Sequence, residues 1–370
     1  MRIAMIGQKR TGSREGGVEV VVTELARRMA SLGHEVICYD RMGSDINGKA
    51  TPNKPYEFDG IKIVPVKTVD IKGMAALSSA YFATRKALND CPDVIHYHAE
   101  GPCNALSIAS RRGVRTVATI HGLDWQRAKW GGLATSVIKR GEKTAVKYAK
   151  EIIVLSKEIK SYFATEYERQ THFIPNGISV AGFKPAKEIK RQWGLVKDSY
   201  ILYLGRIVPE KRLDLLIKAF KRLETEKRLV IVGGASDTSS FHEEIKKLAS
   251  QDSRVLMTGF AEGEILAELY SNAYCYVLPS DVEGMPMSLL EAMSYGCCCV
   301  TSDIFECSSV LSDVGVTFLK GNSDSLCGVL AALLKNQARV HMLGESAQKR
   351  VEKKYNWDSV VDETLQIYRG

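Results

Sequence analysis

Two carboxylates eight positions apart frame the segment Glu283-Gly284-Met285-Pro286-Met287-Ser288-Leu289-Leu290-Glu291. The run before it, Cys275-Tyr276-Val277-Leu278-Pro279-Ser280, reads as a buried strand. The run after it, Ser288 to Met293, reads as a helix that stops near Gly296. Glu283 then leaves the carboxyl end of a strand, and Glu291 sits about a turn into a helix. Ligands of α/β sheets bind at that place. A carboxylate there accepts hydrogen bonds from sugar or ribose hydroxyls. The N–H groups of the loop and helix start favour a phosphate. One short segment can hold both halves of a nucleotide sugar.

Two cations follow an earlier strand. In Gly205-Arg206-Ile207-Val208-Pro209-Glu210-Lys211-Arg212, Arg206 and Lys211 precede a helix and can reach one diphosphate, the Arg as a fork and the Lys as a point charge. A solvated basic loop is the plainer alternative. Near the N-terminus, Gly16-Gly17 stand just before a helix, where backbone amides can approach a phosphate. The pattern is neither G-x-G-x-x-G nor a Walker loop. His98 and His121 both end strands. His121, before Gly122, is the better candidate as a donor to a sugar hydroxyl or to developing charge, and His98 and Glu100 are expected on the same rim. No third ligand at metal spacing accompanies the histidines.

Strands and helices alternate along the chain. Strands are expected at Arg2–Ile6, Glu35–Tyr39, Val94–Tyr97, Thr116–Ile120 and Glu151–Leu155, then at Tyr200–Leu204, Leu229–Val232, Val255–Met257 and Cys275–Leu278. Helices are expected at Val18–Leu32, closed by Gly33, and at Leu213–Leu223. Between the two series, Ile178 to Leu195 reads as an interdomain linker after Pro175-Asn176-Gly177. Such alternation implies an α/β protein with parallel, doubly wound sheets. The expected organisation is two Rossmann-like domains facing a cleft. The first covers residues 1–180, with a C-terminal helix at 355–370 packing back on it. The second covers 181–354.

The 370 residues make two domains the expectation. No apolar run approaches the roughly 18–20 residues of a membrane span, and the start reads as a strand rather than a signal peptide. Nine cysteines without a C-x-x-C pair suggest a reducing cytoplasm, with neither disulfides nor zinc. The net charge is +8, but residues 1–185 carry 28 Lys and Arg against 18 Asp and Glu, while the remainder carries 23 against 25. The basic excess is dispersed, except in one helix, and no nucleic-acid module is recognisable, so no nucleic acid is expected as partner. That helix spans Ala134 to Lys150. Val137, Ile138, Gly141, Ala145, Tyr148 and Ala149 share one side, and Lys139, Arg140, Lys143, Lys147 and Lys150 another. Two readings fit: a surface helix docked on the core, or a basic face resting on anionic lipid. Trp125 and Trp130 just before it suit an interface or a stacked sugar ring.

Taken together, these pieces resemble the family four glycosyltransferases of the GT-B fold. The resemblance rests on Gly16-Gly17, His121-Gly122, Pro175-Asn176-Gly177, Arg206 with Lys211, Thr258-Gly259-Phe260, and Glu283 with Glu291, in order along nearly the full chain. It implies a retaining transfer from a nucleotide-diphosphate sugar, UDP- or dTDP-linked, with no cofactor and no metal. Arg206 and Lys211 would then neutralise the leaving diphosphate. Glu283 would hold the donor sugar, helped by the segment Gly284, Met285, Pro286 and Met287 through the backbone amides it offers. Glu291 would accept the ribose hydroxyls, Phe260 would line the base pocket, Gly16 and Gly17 would close on the phosphate, and His121 would contact the sugar near the reacting carbon. Glu283 as a covalent nucleophile is the competing mechanism. The runs Ile6 to Gly17 and His121 to Gly131 are similar to bacterial capsule and cell-wall polysaccharide enzymes, rhamnosyltransferases included. That similarity implies a glycan or lipid-linked glycan acceptor and a cytoplasmic enzyme at the inner face of the plasma membrane, docked through Lys139, Arg140, Lys143 and Lys147. A nucleotide-sugar epimerase or hydrolase of the same architecture, or an inactive nucleotide-sugar-binding protein, are the rival functions.

Overall fold

The computed structural model describes residues 1–44, 48, 50–69, 74–126, 132–234 and 239–370. Trp130 and the rest of 127–131 lie outside the described residues. The chain divides into two compact units, Met1–Gly177 with Trp357–Gly370, and Ile178–Asn356.

In the first unit, β1 (Arg2–Ile6), β2 (Glu35–Arg41), β3 (Tyr56–Phe58), β4 (Ile61–Val66), β5 (Val94–His98), β6 (Arg115–Ile120), β7 (Glu151–Val154) and β8 (His172–Phe173) form one sheet. Their order is β3-β4-β2-β1-β5-β6-β7-β8. Only the β3–β4 hairpin, which the strand reading missed, is antiparallel among these pairs. The central strands β1, β2, β5, β6 and β7 are buried over nearly all of their length, as parallel strands covered by helices on both faces must be. The chain folds outward from β1 in both directions, so the sheet changes winding direction between β1 and β5.

The helix Gly17–Ser31 buries Val21, Val22, Leu25, Ala26 and Met29 at helical spacing. Its end needs Gly33, whose φ is +84°. The terminal helix Trp357–Arg369 buries Trp357, Val360, Val361, Leu365 and Tyr368. Its Tyr368 hydroxyl lies 2.6 Å from His96 Nδ1 on β5. A Cβ on Gly177 would sit 2.4 Å from the Trp357 ring, which explains the glycine of Pro175-Asn176-Gly177.

In the second unit, β9 (Tyr200–Leu204), β10 (Arg228–Val232), β11 (Val255–Gly259), β12 (Cys275–Leu278), β13 (Cys299–Ser302) and β14 (Val316–Phe318) are ordered β11-β10-β9-β12-β13-β14. Every pair is parallel. Numbered within the unit, this is the 3-2-1-4-5-6 order, whose switch point lies between β9 and β12. The expected linker is a correction: 188–193 is a helix whose Ile189 is fully buried, as is Leu195 beyond it. Polar composition hid two anchors that bind the segment to the second unit, where Glu268 accepts the amides of Lys187 (2.9 Å) and Ile189 (3.1 Å). Among the described residues, no helix is long and apolar enough to cross a membrane.

Candidate active site

The second unit gathers its chemistry at the switch point. The loops after β9, β10 and β11 are tied by backbone bonds: Gly205 N–H to Val232 O (3.0 Å), Ile207 N–H to Gly234 O (3.1 Å) and Gly233 N–H to Gly259 O (2.8 Å). A Cβ on Gly233 would fall 1.9 Å from Gly205 O, so no other residue fits there. Gly233 and Gly234 were missed in the sequence; the Gly-Gly pair closing a strand was the available signal. The turn Pro209–Lys211 ends at Arg212, held in the left-handed region at φ +50°. Its guanidinium pairs with Asp214 (3.2 Å) and Asp281 (3.0 Å), offsetting the strain. The Asp281 amide in turn donates to Glu210 O at 2.8 Å, joining this turn to the loop after β12.

These contacts bring Lys211 Nζ onto Glu283 Oε1 as an ion pair. The side chains are 12% and 8% exposed, so the pair is largely desolvated. The cation expected on a diphosphate and the acid expected on a sugar therefore share one spot. Arg206 has its carbonyl fixed by the Tyr203 hydroxyl (2.9 Å), and its half-exposed guanidinium makes no ion pair among the described residues. Burial, then the Glu283 charge, keep Tyr203 protonated.

After β12, Gly284, Met285 and Pro286 are buried, and the helix Met287–Ser294 starts without a side-chain cap. Its first amides thus lack a capping oxygen, a suitable arrangement for an anion. Glu291, on the second turn, has Oε2 3.1 Å from the Tyr270 hydroxyl. Tyr270 stacks on Tyr295, with ring centroids 5.3 Å apart. Phe260 is half-buried just beyond β11.

In the first unit, the loop leaving β1 crosses β5 closely: a Cβ on Gly7 would lie 2.2 Å from His98 O. Asp40, buried at the end of β2, fixes this loop by accepting from the Thr11 amide (2.8 Å), the Thr11 hydroxyl (2.9 Å) and Gln8 Nε2 (3.1 Å). Burial raises the Asp40 pKa against those hydrogen bonds. Gly16 and Gly17 open the first helix as expected, but the reason for Gly16 differs. The Glu19 carboxylate accepts the Lys9 amide at 2.9 Å, and its other oxygen would lie 2.7 Å from a Cβ on Gly16. A carboxylate, rather than open space for a phosphate, stands beside that glycine.

His98 Nδ1 and His121 Nε2 are 3.1 Å apart, so one nitrogen donates to the other. His121 is half-buried. His96 contacts the Thr119 hydroxyl at 2.7 Å. Burial lowers the pKa of His96 to about 3 and that of His98 well below its usual value, leaving both rings neutral. His98 and Glu100 are fully buried, which corrects their placement on a rim.

The helix Gly132–Tyr148 exposes Lys139, Arg140, Lys143 and Lys147, and turns Ile138, Gly141 and Ala145 inward. It also buries Glu142, which the apolar periodicity concealed. Trp125 does not present a bare ring: its Nε1–H donates to Glu142 at 3.1 Å, and Lys139 Nζ lies 4.2 Å from its ring centroid. Trp125 is thereby a packing residue in the first instance, because both its polar tip and one face are engaged.

Residues 15–181 match the profile described as Glycosyltransferase Family 4, and residues 185–350 that described as Glycosyl transferases group 1. A D-inositol 3-phosphate glycosyltransferase of Xylanimonas cellulosilytica is 27% identical, covering 95% of this chain and 91% of its own. Sucrose-phosphate synthase from Thermosynechococcus elongatus superposes with a TM-score of 0.85 at 21% identity, over 100% of this chain and 98% of its own. Anabaena HepE in complex with UDP and glucose gives 0.81 at 16% identity, over 99% of each chain. With both units matched by family profiles and each built on a doubly wound, mainly parallel sheet as expected, the chain belongs to the family four glycosyltransferases and has the GT-B fold.

Proposed function

We propose that this glycosyltransferase moves a sugar, with retention and without a metal, from a UDP- or dTDP-sugar to a glycan or lipid-linked glycan acceptor. The observation that carries this reading is the meeting of Lys211 and Glu283 at the switch point, with Arg206 and Glu291 on the adjoining loop and helix. The relative that binds UDP and glucose supports the donor class.

The bond broken joins the sugar carbon to a phosphate oxygen, so negative charge grows on the diphosphate. Arg206, Lys211 and the amides at the start of the helix Met287–Ser294 are the second unit's means of stabilising it. Fixed donors aimed at charge that develops stabilise the transition state more than the ground state. When diphosphate binds, Lys211 exchanges part of its attraction to Glu283 for the phosphate, and Glu283 turns its acceptor capacity to sugar hydroxyls. A carboxylate whose oxygens accept from Lys211 and from sugar hydroxyls is less available as a nucleophile, which favours the leaving phosphate oxygen as acceptor of the incoming hydroxyl's proton. Glu291 receives the ribose hydroxyls beside Tyr270, and Phe260 lines the base pocket. From the first unit, the helix start at Gly17 serves the phosphate and His121 the sugar. The exposed Lys139, Arg140, Lys143 and Lys147 give that unit an anion-facing surface, read as a contact with the inner membrane face.

A thermal-shift panel of UDP- and dTDP-sugars tests the donor class. A ligand at 100 times its Kd adds about 2.7 kcal/mol of stability. Nuclear magnetic resonance of the product's anomeric centre, with and without EDTA, tests stereochemistry and metal use. No stabilisation by any nucleotide sugar, an inverted product, or activity abolished by EDTA would each remove part of the reading.

A further inference from the structure

Two acids that the proposed chemistry does not use lie buried together in the first unit. Glu100 follows β5, Glu142 lies within the helix Gly132–Tyr148, and both are fully buried. Glu142 is surrounded by donors: Trp125 Nε1–H (3.1 Å), the Tyr162 hydroxyl (3.0 Å) and the Tyr167 hydroxyl. Glu100 Oε2 accepts the Asp124 amide at 2.9 Å. Its Oε1 is buried and has no donor, and Glu142, the residue after the Gly141 that packs on the Glu100 carbonyl, is an acid that opposes its ionisation. Two facing acceptors make a favourable contact only when one carries a proton. Three neutral donors already stabilise charge on Glu142, whereas Glu100 has one. The proton therefore resides on Glu100, and the charge on Glu142.

The pair acts on one structural feature. Asp124 and Trp125 belong to the turn Asp124–Gln126, which begins three residues after His121. Each acid holds one of them. The same helix also packs on the Glu100 segment through its backbone. A Cβ on Gly141 would lie 2.0 Å from Glu100 O, and Asn104 Nδ2–H donates to Val137 O at 3.1 Å. We propose that Glu100 and Glu142 share one proton as a carboxylic acid–carboxylate clamp that positions the His121 turn and couples it to the basic helix. Both are positioning residues. Their functional role rests on the reading of His121 given above.

Three substitutions test the clamp. Glu142→Gln removes the charge but little volume, so the Trp125 indole N–H resonance should move upfield and the Asp124 amide should exchange with solvent at least tenfold faster. With the donor selected by the panel above, kcat should fall at least tenfold while the donor KM changes much less, because the groups assigned to the donor's diphosphate and ribose, Arg206, Lys211 and Glu291, lie in the other unit. Glu100→Leu should reproduce the loss. Glu100→Gln, whose amide N–H donates to Glu142 as the acid's O–H does, should restore most of it. An unmoved Trp125 signal in Glu142→Gln would overturn the clamp, as would Glu100→Gln being as impaired as Glu100→Leu. Full transfer by His121→Ala would overturn the reading of His121 instead, leaving the Trp125 and Asp124 signals to decide the clamp. Should Glu142→Gln fold poorly, Tyr167→Phe removes one donor alone, and its expected change is a smaller shift of the same Trp125 signal.

Discussion

The two units solve the same problem with opposite electrostatics. The second unit's site is ionic: Lys211 with Glu283, and Arg212 with Asp281 and Asp214. The first unit's site relies on neutral groups where it is deepest, and the charge that the proposal leaves on Glu142 is held by neutral donors. His96 and His98 are uncharged, and Glu100 holds its proton because burial, then Asp124 and Glu142, oppose ionisation. A group that must answer a developing diphosphate charge has to be an ion. A group that only orients a neighbour serves either without charge, as Glu100 does, or with its charge satisfied by neutral donors, as Glu142 does, because an isolated buried ion is costly. The contrast predicts that mutations in the second unit act through charge, and those in the first through geometry and proton occupancy.

The largest effect is expected at the ionic pair. Lys211→Ala and Glu283→Ala should each lower kcat about 10³-fold or more, the scale of losing a preorganised charge at the transition state. Removing one partner also deprives a nearly buried charge of its ion pair, at up to about 3 kcal/mol of stability. The double variant should lose less stability than the two singles together. Urea denaturation of the four proteins reads the coupling. Additive stability losses would show the pair to be mere neighbours and blunt the comparison. At Glu291 the effect is smaller and falls on binding. Glu291→Ala should weaken UDP binding about 10–100-fold, from loss of charged hydrogen bonds worth about 1.5–3 kcal/mol. Tyr270→Phe should cost only severalfold. Calorimetry with UDP measures both, and an unchanged Kd for Glu291→Ala would take the ribose role from it.

The same contrast explains how far the sequence could be read. Parallel strands such as Tyr200–Leu204 and Cys275–Leu278 are continuous apolar runs with sharp polar ends, and their bounds were visible residue for residue. The loops after them carry Arg206, Lys211 and Glu283 beyond those ends, so these residues could be picked out as candidates from local pattern, whereas the pairing of Lys211 with Glu283 could not. The short edge strands β3 and β8 were not visible, because pairing rather than composition defines them. Glu142 was hidden for a related reason. Its donors, Trp125, Tyr162 and Tyr167, come from other elements, and helical periodicity reports only a polar residue among lysines. Glu19 was equally invisible as the filler beside Gly16, since that role depends on a side chain folding back past its own helix start. Within-loop chemistry is written in sequence spacing; buried polar partnerships are written in tertiary contacts.

The smallest effect sharpens the neutral side of the comparison. Glu100 keeps its proton in the folded chain, its pKa pushed up to about 11, whereas the unfolded chain releases it near the ordinary value of about 4.5. Between those values the folded state binds more protons than the unfolded one, so this group's contribution to stability is full below the lower value and declines as pH rises. Asp40, also raised by burial, acts in the same direction. His96 and His98 act oppositely, since their folded pKa values are lowered: the unfolded chain takes up protons below about 6.5, and stability falls as pH drops. The charged and titratable groups that bear on Glu100 are Glu142, Asp124 and Cys103, with Tyr162 and Tyr167 around Glu142. Wild-type stability should therefore decline above pH about 6.5, where the histidines no longer compensate. Glu100→Gln cannot release a proton, so its decline between pH 7 and 9 should be shallower by up to about 1.4 kcal/mol per pH unit. Urea midpoints across that range measure the difference. Parallel curves for the two proteins would mean that Glu100 is ionised in the fold, and the first unit would then share the ionic character of the second.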